Sequence, residues 1–289
     1  MADLVRLVDV LTRSEAWLRR RGVESPRLDA ELLLAHVLGM ERLQLYLAHD
    51  RPMSPAELDA LRPLLARRGQ REPMAWILGH AGFHAIDLEV HPGVLCPRPD
   101  TETLVDAALG WIPEGADPVY VADVGAGTGA VGLAVAAARP GVRLYAIDVD
   151  PRALANTRAN VAKLGLQQRV AVLEGDLLDP IPRSRPLDWV LSNPPYIPTR
   201  VIDGLMPEVS RHEPRLALDG GDDGLDVYRR LVPAAADRAR HGVLLEVGDD
   251  QAGRVGDLVR AAGFDVVETW RDLAGVRRVV GGRRSTPRG

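Results

Sequence analysis

From Val119 onward, short apolar runs alternate with helix-patterned stretches, and this alternation constrains the fold more than anything else in the 289 residues. Strands separated by helices form a mostly parallel sheet covered by those helices. The first run, Val119-Tyr120-Val121-Ala122-Asp123-Val124, turns through Gly125-Ala126-Gly127-Thr128-Gly129 into a helix reaching Ala138. Glycines at such a turn let the backbone approach a ligand closely, and the helix start supplies free N–H groups. A second run, Leu144-Tyr145-Ala146-Ile147, ends at Asp148, where a carboxylate commonly meets ribose hydroxyls. Pro151 opens a helix to Gly165, and residues 170–173 make a third strand ending in Gly175-Asp176-Leu177. That end places Asp176 and the Leu177 backbone to meet an adenine.

The glycine loop does not choose its ligand. Gly127-Thr128-Gly129-Ala130-Val131-Gly132 fits the dinucleotide pattern G-x-G-x-x-G, and Asp148 follows about twenty residues on. A nicotinamide dehydrogenase and an enzyme using a nucleoside-bearing methyl donor are both open at this point.

A fourth apolar run, Leu187-Asp188-Trp189-Val190-Leu191, meets Ser192-Asn193-Pro194-Pro195-Tyr196. Proline has no N–H for a ladder and holds the residue before it extended, so the strand ends in a stiff loop. Open α/β sheets place ligands at this carboxyl edge. The Asn193 side-chain oxygen and the Pro194 carbonyl are two acceptors held together, suited to a planar NH2 group with two hydrogens to give. Tyr196 adds an aromatic face for a flat amide or base. The plainer reading is a proline-rich turn with a local asparagine hydrogen bond. A methyl donor in the glycine loop with a held NH2 before it makes a coherent reaction. Hydride transfer instead wants a proton-transfer residue near a carbonyl, and none is evident.

The first eighty residues read as a small helical bundle. Leu4, Leu7, Val8, Leu11 and Leu18 recur at helical spacing up to Gly22. Ser25-Pro26 reads as an N-cap with proline at the first helical position, and that helix stops at Gly39. A short helix spans 43–47, Ser54-Pro55-Ala56-Glu57 forms a capping box, and Pro73 opens a last turn. Residues 81–95 alternate as a hairpin. His80, His84 and His91 lie near one another there, too few converging ligands for a metal site.

The formal net charge of −4 gives no electrostatic ground for strong nucleic-acid binding. The basic run Arg277, Arg278, Arg283, Arg284 and Arg288 reads as a solvated tail. Cys96 is the single cysteine, which allows no internal disulfide, fits a reducing compartment and makes a poor nucleophile. With no signal peptide or membrane-length apolar run, the expected location is the cytoplasm.

Over nearly its whole length the chain resembles the HemK/PrmC-type protein-(glutamine-N5) methyltransferases, which modify peptide-chain release factors. The resemblance rests on Arg71-Glu72-Pro73 with Gly79 and Phe83, Pro97-Arg98-Pro99-Asp100-Thr101-Glu102, the loop from Gly125 to Gly129, Asp148, and Asn193-Pro194-Pro195-Tyr196. It continues through Glu213-Pro214, Gly220-Gly221-Asp222-Asp223-Gly224-Leu225-Asp226, Leu245-Glu246-Val247-Gly248 and Asp272-Leu273-Ala274-Gly275. The Asn-Pro-Pro-Tyr element also occurs in adenine and guanine amino-methyltransferases; the Pro-Arg-Pro-Asp-Thr-Glu and Gly-Gly-Asp-Asp-Gly-Leu-Asp stretches are more specific. Two positions depart from the pattern: Cys96 replaces an aliphatic residue, and Val276 precedes Arg277 where the family usually has an acidic residue.

The resemblance implies a class I, Rossmann-like methyltransferase with a mostly parallel seven-stranded sheet. A helical bundle over 1–80 would dock the substrate protein, a β-hairpin linker would cover 81–98, and the methyltransferase domain 99–289. S-adenosylmethionine would be held by Gly125, Ala126, Gly127, Thr128, Gly129, Asp148, Asp176, Leu177 and Asn193, leaving S-adenosylhomocysteine. Asn193, Pro194, Pro195 and Tyr196 would bind the release factor's Gly-Gly-Gln glutamine, with Asn193, Pro194 and Tyr196 catalytic and no metal. The long segment 197–224 would shape the entrance. A ribosomal-protein glutamine, a nucleic-acid amino group, and cofactor binding without turnover are the competing readings.

Overall fold

The computed structural model describes residues 5–115 and 117–286. Leu4 and Arg288 lie outside the described residues. The chain divides into two compact units: one runs up to Gly79 and adds Met206–His212, and the other comprises His80–Leu205 and the chain from Glu213 onward. The hairpin therefore belongs with the larger unit, and seven residues of the later chain belong with the bundle.

The smaller unit is built from α1 (Leu7–Arg19), α2 (Pro26–Leu38), α3 (Arg42–Leu47), α4 (Pro55–Gly69) and α5 (Met74–Leu78). Leucines at helical spacing, including Leu7, Leu11, Leu18, Leu33, Leu34 and Leu61, make its core. Local signals set the ends. Pro26 sits in the first turn of α2, and Gly39 ends it in the left-handed region at φ 62°. Ser54 and Glu57 form a reciprocal capping box on α4. Ser25 occupies the N-cap of α2 without a side-chain cap bond, and Pro73 is the N-cap of α5 rather than its first residue.

The larger unit opens with a hairpin, β1 (His80–Phe83) and β2 (Ile86–Glu89), followed by α6 (Glu102–Trp111). Then come β3 (Val119–Val124), α7 (Ala130–Ala138), β4 (Val142–Asp148), α8 (Pro151–Lys163), β5 (Val170–Glu174) and β6 (Trp189–Ser192). The connection after β6 carries the one-turn helix α9 (Pro207–Ser210). The unit closes with α10 (Asp226–Arg238), β7 (Gly242–Glu246), α11 (Ala252–Ala261), β8 (Val266–Arg271) and β9 (Arg277–Arg283). The seven-stranded sheet has the order β5-β4-β3-β6-β7-β9-β8. Neighbours from β5 to β7 are parallel, and β9 runs antiparallel to both its neighbours.

Side chains alternate between the two faces as strand geometry requires. Val121, Trp189, Leu191 and Leu244 point to one core with α6, α7 and α8, while Ala122, Val190, Val243 and Leu245 point to the other with α10 and α11. Sequence order reverses between β3 and β6, so their carboxyl ends form the crevice where such sheets bind ligands.

Two features of the fold depart from the sequence reading or go beyond it. The C-terminal arginines are not a solvated tail: Arg277, Arg278 and Arg283 lie in β9, inside the sheet. Arg278 is buried and pairs with Asp272 and Asp249 at 3.2 and 2.9 Å, because a buried guanidinium requires carboxylate partners. Within the smaller unit, Glu208 of α9 takes both Nε and Nη2 of Arg71 at 2.6 Å and Nη1 of Arg68 at 2.8 Å. Arg68 also holds Asp29 at 2.6 Å. These fork-shaped pairs give the Arg71-Glu72-Pro73 motif a structural use, fixing 206–212 to the helices.

Candidate active site

Four strand ends converge on one cavity of the larger unit. Gly125 and Gly127 after β3, Asp148 at the end of β4, Asp176 and Leu177 after β5, and Asn193, Pro194 and Pro195 after β6 all line it. Val124 and Ser192 are register partners, which sets the glycine loop and the Asn-Pro-Pro-Tyr loop side by side.

The glycine loop is fixed from several directions. The N–H groups of Gly125 and Ala126 both donate to the Ile147 carbonyl at 2.9 Å. Gly127 N–H donates to Asp148 Oδ2 at 2.9 Å, Thr157 Oγ1 donates to the Gly127 carbonyl at 2.9 Å, and Asn160 Nδ2 to that of Thr128 at 2.9 Å. Gly125 and Gly127 have φ of 72° and 59°, a left-handed region open to glycine without cost, and nothing lies within 4 Å of a Cβ placed at Gly127. That open face leaves the Gly127 backbone accessible from the cavity. Ala126, Thr128 and Gly129 do not line the cavity. The Ala126 and Thr128 side chains are buried, and Gly129 turns the chain into α7 against Leu133 and Thr157.

Asp148 is well placed for a ribose. Each carboxylate oxygen accepts one backbone N–H, from Gly127 and from Asp150, which leaves further lone pairs toward the cavity. Burial raises its pKa, against the backbone hydrogen bonds from Asp150 and Gly127. Leu177 sits at φ 50°, and Asp176 pairs with Arg230 of α10, a cavity-lining residue that the sequence reading did not identify.

At the Asn-Pro-Pro-Tyr loop, Asn193 Nδ2 donates to Thr101 Oγ1 at 3.2 Å. Among the described residues nothing donates to Asn193 Oδ1 or to the Pro194 carbonyl, so both acceptors are available at the cavity. Tyr196 does not line the cavity. Its ring packs on the core beside Tyr228, and its hydroxyl donates to Glu246 Oε1 at 3.2 Å. Burial and the Glu246 charge push the phenol pKa up. The stacking face expected of Tyr196 is therefore turned into the protein, because its hydroxyl finds a buried partner.

The backing of this loop explains other motifs. A Cβ at Gly220 would lie 2.8 Å from the Pro195 carbonyl oxygen, and one at Gly224 would lie 2.3 Å from that of Tyr196. Gln251 Nε2 donates to the Tyr196 carbonyl at 2.8 Å. Glu213, buried, accepts from Cys96 N–H at 3.2 Å and pairs with Arg98, and the residues just after it, Pro214, Leu216 and Ala217, line the cavity. Asp272 Oδ1 accepts the N–H groups of Ala274 and Val276, so position 276 contributes through its backbone. These supporting residues stood in recognised stretches, but nothing in the sequence says which loop each supports.

The histidines of the hairpin region face separate carboxylates: His80 on Asp87, His84 on Asp106 and His91 on Glu89. No group of three metal-binding side chains converges among the described residues. Cys96 is buried, and burial with the Glu213 charge raises its thiol pKa, which leaves little thiolate. No helix among the described residues is long and apolar enough to cross a membrane.

Comparison with known proteins places the chain in a family. Residues 9–79 match the PrmC N-terminal domain family and residues 112–206 the methyltransferase small domain family. The chain is 42% identical over 276 residues to a release factor glutamine methyltransferase of Geobacter sulfurreducens, covering 95% of each chain. It is 43% identical to that of Caulobacter vibrioides, again covering 95% of each. Among solved structures, a T. thermophilus 16S rRNA N2 methyltransferase shares the fold with a TM-score of 0.53 at 20% identity, covering 71% of this chain and 49% of that one. The sheet order with its antiparallel β9 is that of a class I methyltransferase, and the chain belongs to the release factor glutamine methyltransferase family.

Proposed function

We propose that this protein transfers the methyl group of S-adenosylmethionine to the side-chain amide nitrogen of the glutamine in the Gly-Gly-Gln loop of peptide-chain release factors. The observation that carries the reading is the pair of free acceptors, Asn193 Oδ1 and the Pro194 carbonyl, at the rim of an adenosine-type cavity. Relatives named for this reaction match the chain over nearly its whole length.

The residues fit the cofactor. Gly125 and Gly127, whose backbone lines the cavity, would leave room for its amino-acid end and ribose, Asp148 would offer lone pairs to the ribose hydroxyls, and Asp176 with the Leu177 backbone would meet the adenine. When bound, S-adenosylmethionine would supply a sulfonium methyl, its S–CH3 bond exchanged for an N–CH3 bond, with the displaced amide proton lost to solvent water and S-adenosylhomocysteine left.

An amide nitrogen is a poor nucleophile because its lone pair is shared with its carbonyl. Asn193 Oδ1 and the Pro194 carbonyl accept hydrogen bonds from its two N–H groups and aim the nitrogen lone pair toward the methyl. Catalysis then rests on orientation and fixed dipoles rather than on a strong base. The bundle and 206–212 serve as the docking unit for the release factor. The reaction takes place in the cytoplasm, where release factors act.

The test is transfer of label from radiolabelled S-adenosylmethionine to purified release factor, beside a factor whose Gly-Gly-Gln glutamine is changed to alanine. Label on the wild-type factor alone establishes reaction and target. Label on neither, with cofactor binding confirmed, overturns the reading and points to ribosomal-protein or nucleic-acid acceptors.

A further inference from the structure

Helix α8 turns an uncharged polar face into the larger unit: Asn156, Thr157 and Asn160 are each 0% exposed. Polar groups so far from water need their hydrogen bonds met inside the protein. Their partners fall into two groups. One is the glycine loop, where Thr157 Oγ1 donates to the Gly127 carbonyl and Asn160 Nδ2 to that of Thr128, both at 2.9 Å. The other is the end of the hairpin. Asn160 Oδ1 accepts the Glu89 N–H at 2.7 Å, and its Nδ2 donates to the Glu89 carbonyl at 3.0 Å. Asn156 Nδ2 donates to that same carbonyl and its Oδ1 accepts the His91 N–H, both at 2.9 Å.

A two-stranded hairpin is marginal by itself, and β1 with β2 forms a sheet of two strands. The two amides meet the backbone of Glu89 and His91 as a third strand would. From that point the chain enters the cavity wall. Val94 N–H donates to the His91 carbonyl at 3.2 Å, and Gly93, Val94 and Leu95 line the same cavity as Gly127. Neither asparagine lines it.

Asn160 joins the two groups. Its planar amide uses one oxygen for the Glu89 N–H and its two hydrogens for the Glu89 and Thr128 carbonyls. Aspartate at this position would set an oxygen against two carbonyl oxygens, and an apolar side chain would leave all three backbone groups without this partner.

We propose that Asn160, with Asn156 beside it, is a positioning residue for the methyl donor: it fixes the hairpin exit, residues 91–95, to the glycine loop, so that two walls of the donor cavity keep one spacing. The inference rests on the reading of that cavity as the S-adenosylmethionine site and adds residues that do not touch the ligand. A ligand held between the two walls resists their separation, so its binding also steadies the amides that Asn156 and Asn160 hold.

The experiment combines calorimetric titration with S-adenosylhomocysteine, amide hydrogen exchange with and without it, and kcat at saturating donor. Asn160→Ala is expected to raise the Kd roughly 10-fold, the cost of losing an outer partner that orients a binding group, with kcat at saturating donor retained. In the wild type, S-adenosylhomocysteine should slow exchange of the His91 amide, which Asn156 holds; in Asn160→Ala that slowing should be lost. Asn160→Asp, which keeps an acceptor for the Glu89 N–H, should behave as Asn160→Ala. Asn156→Ala leaves the glycine loop's own bonds in place and should raise the Kd by less. A residue serving stability alone would lower Tm and leave both the Kd and the ligand-dependent slowing at wild-type values; that result in Asn160→Ala overturns the proposal. Should both Asn160 variants fail to fold, Asn156→Ala with a wild-type Kd overturns it. If the wild type binds no S-adenosylhomocysteine, the reading of the cavity fails instead, and the first titration separates the two.

Discussion

Ser192 Oγ donates to the Val124 carbonyl at 2.6 Å, tying together the ends of the two central strands where sheet order reverses. The glycine loop leaves one of these strands and the Asn-Pro-Pro-Tyr loop the other, so this bond fixes the distance between donor site and acceptor site. Ser192 is fully buried. Ser192→Ala is expected to lower stability by about 1–2 kcal/mol, seen as a lower urea midpoint at unchanged slope.

Asn193→Ala removes one of the two amide acceptors and the orientation it imposes. Turnover should fall at least ~10²-fold, by analogy with loss of one oxyanion-hole donor. Donor affinity should fall less than turnover, since Asn193 is one of several residues lining the cavity. Unaltered kcat in the label-transfer assay would show that the loop does not orient the substrate.

Tyr196→Phe tests the placement of that ring in the core. It deletes a donor to buried Glu246, leaving Oε1 short of a partner. The expected cost is about 1–3 kcal/mol of stability, read by thermal or urea melting. A variant as stable as wild type would mean that the hydroxyl is not used as described.

Asp148→Ala should act on the donor first. It removes lone pairs for the ribose and releases the Gly127 and Asp150 N–H groups. The expected rise in donor Kd is about 10-fold or more, with kcat at saturating donor less affected. Calorimetric titration with S-adenosylmethionine and S-adenosylhomocysteine measures it.

The two buried carboxylates make folding stability depend on pH in a definite direction. Burial raises Asp123 from 3.8 to about 7, against its hydrogen bond from Gly132, and Glu246 from 4.5 to about 7. Groups raised on folding stabilise fully below their unfolded values, and that contribution is lost as pH climbs through the folded ones. Stability should therefore decline between roughly pH 4.5 and pH 7. Asp123→Asn, which keeps an acceptor for Gly132 N–H, should flatten the decline in Tm across that interval. A Tm that rises over the same interval in the wild type would contradict the assignment.

Gly224→Ala addresses the backing of the loop. Gly224 has φ 75°, and a Cβ there would meet the Tyr196 carbonyl oxygen at 2.3 Å. Left-handed backbone alone costs a non-glycine residue roughly 1–2 kcal/mol, and the clash adds to it. Turnover should fall while donor affinity is kept, since the glycine loop lies on other strands.

Much of this protein could be read from local chemistry. Strand and helix order from Val119, the turn at Gly125 to Gly129 and the Ser54 capping box all depend on residues adjacent in the chain, and each forms in the structure, while the use of the Asn193-Pro194 acceptors is a proposal. The beginning of β9 could not be read so. Arg277 and Arg278 look like a basic tail until a sheet forms around them, and Asp249 and Asp272 explain Arg278 only once they are near it.

The sequence by itself determined the doubly covered parallel sheet and the two loops proposed to carry the chemistry, because hydrophobic period, glycine conformation and proline stiffness act over a few residues. Only the tertiary structure decided which way Tyr196 faces, that Arg230 reaches Asp176, that 206–212 joins the bundle, and that Thr101 stands against Asn193 and Glu246 against Tyr196. Those relations bring together residues from about 50 to well over 100 positions apart. They depend on burial and on the pairing of polar groups that burial demands, which no local pattern records.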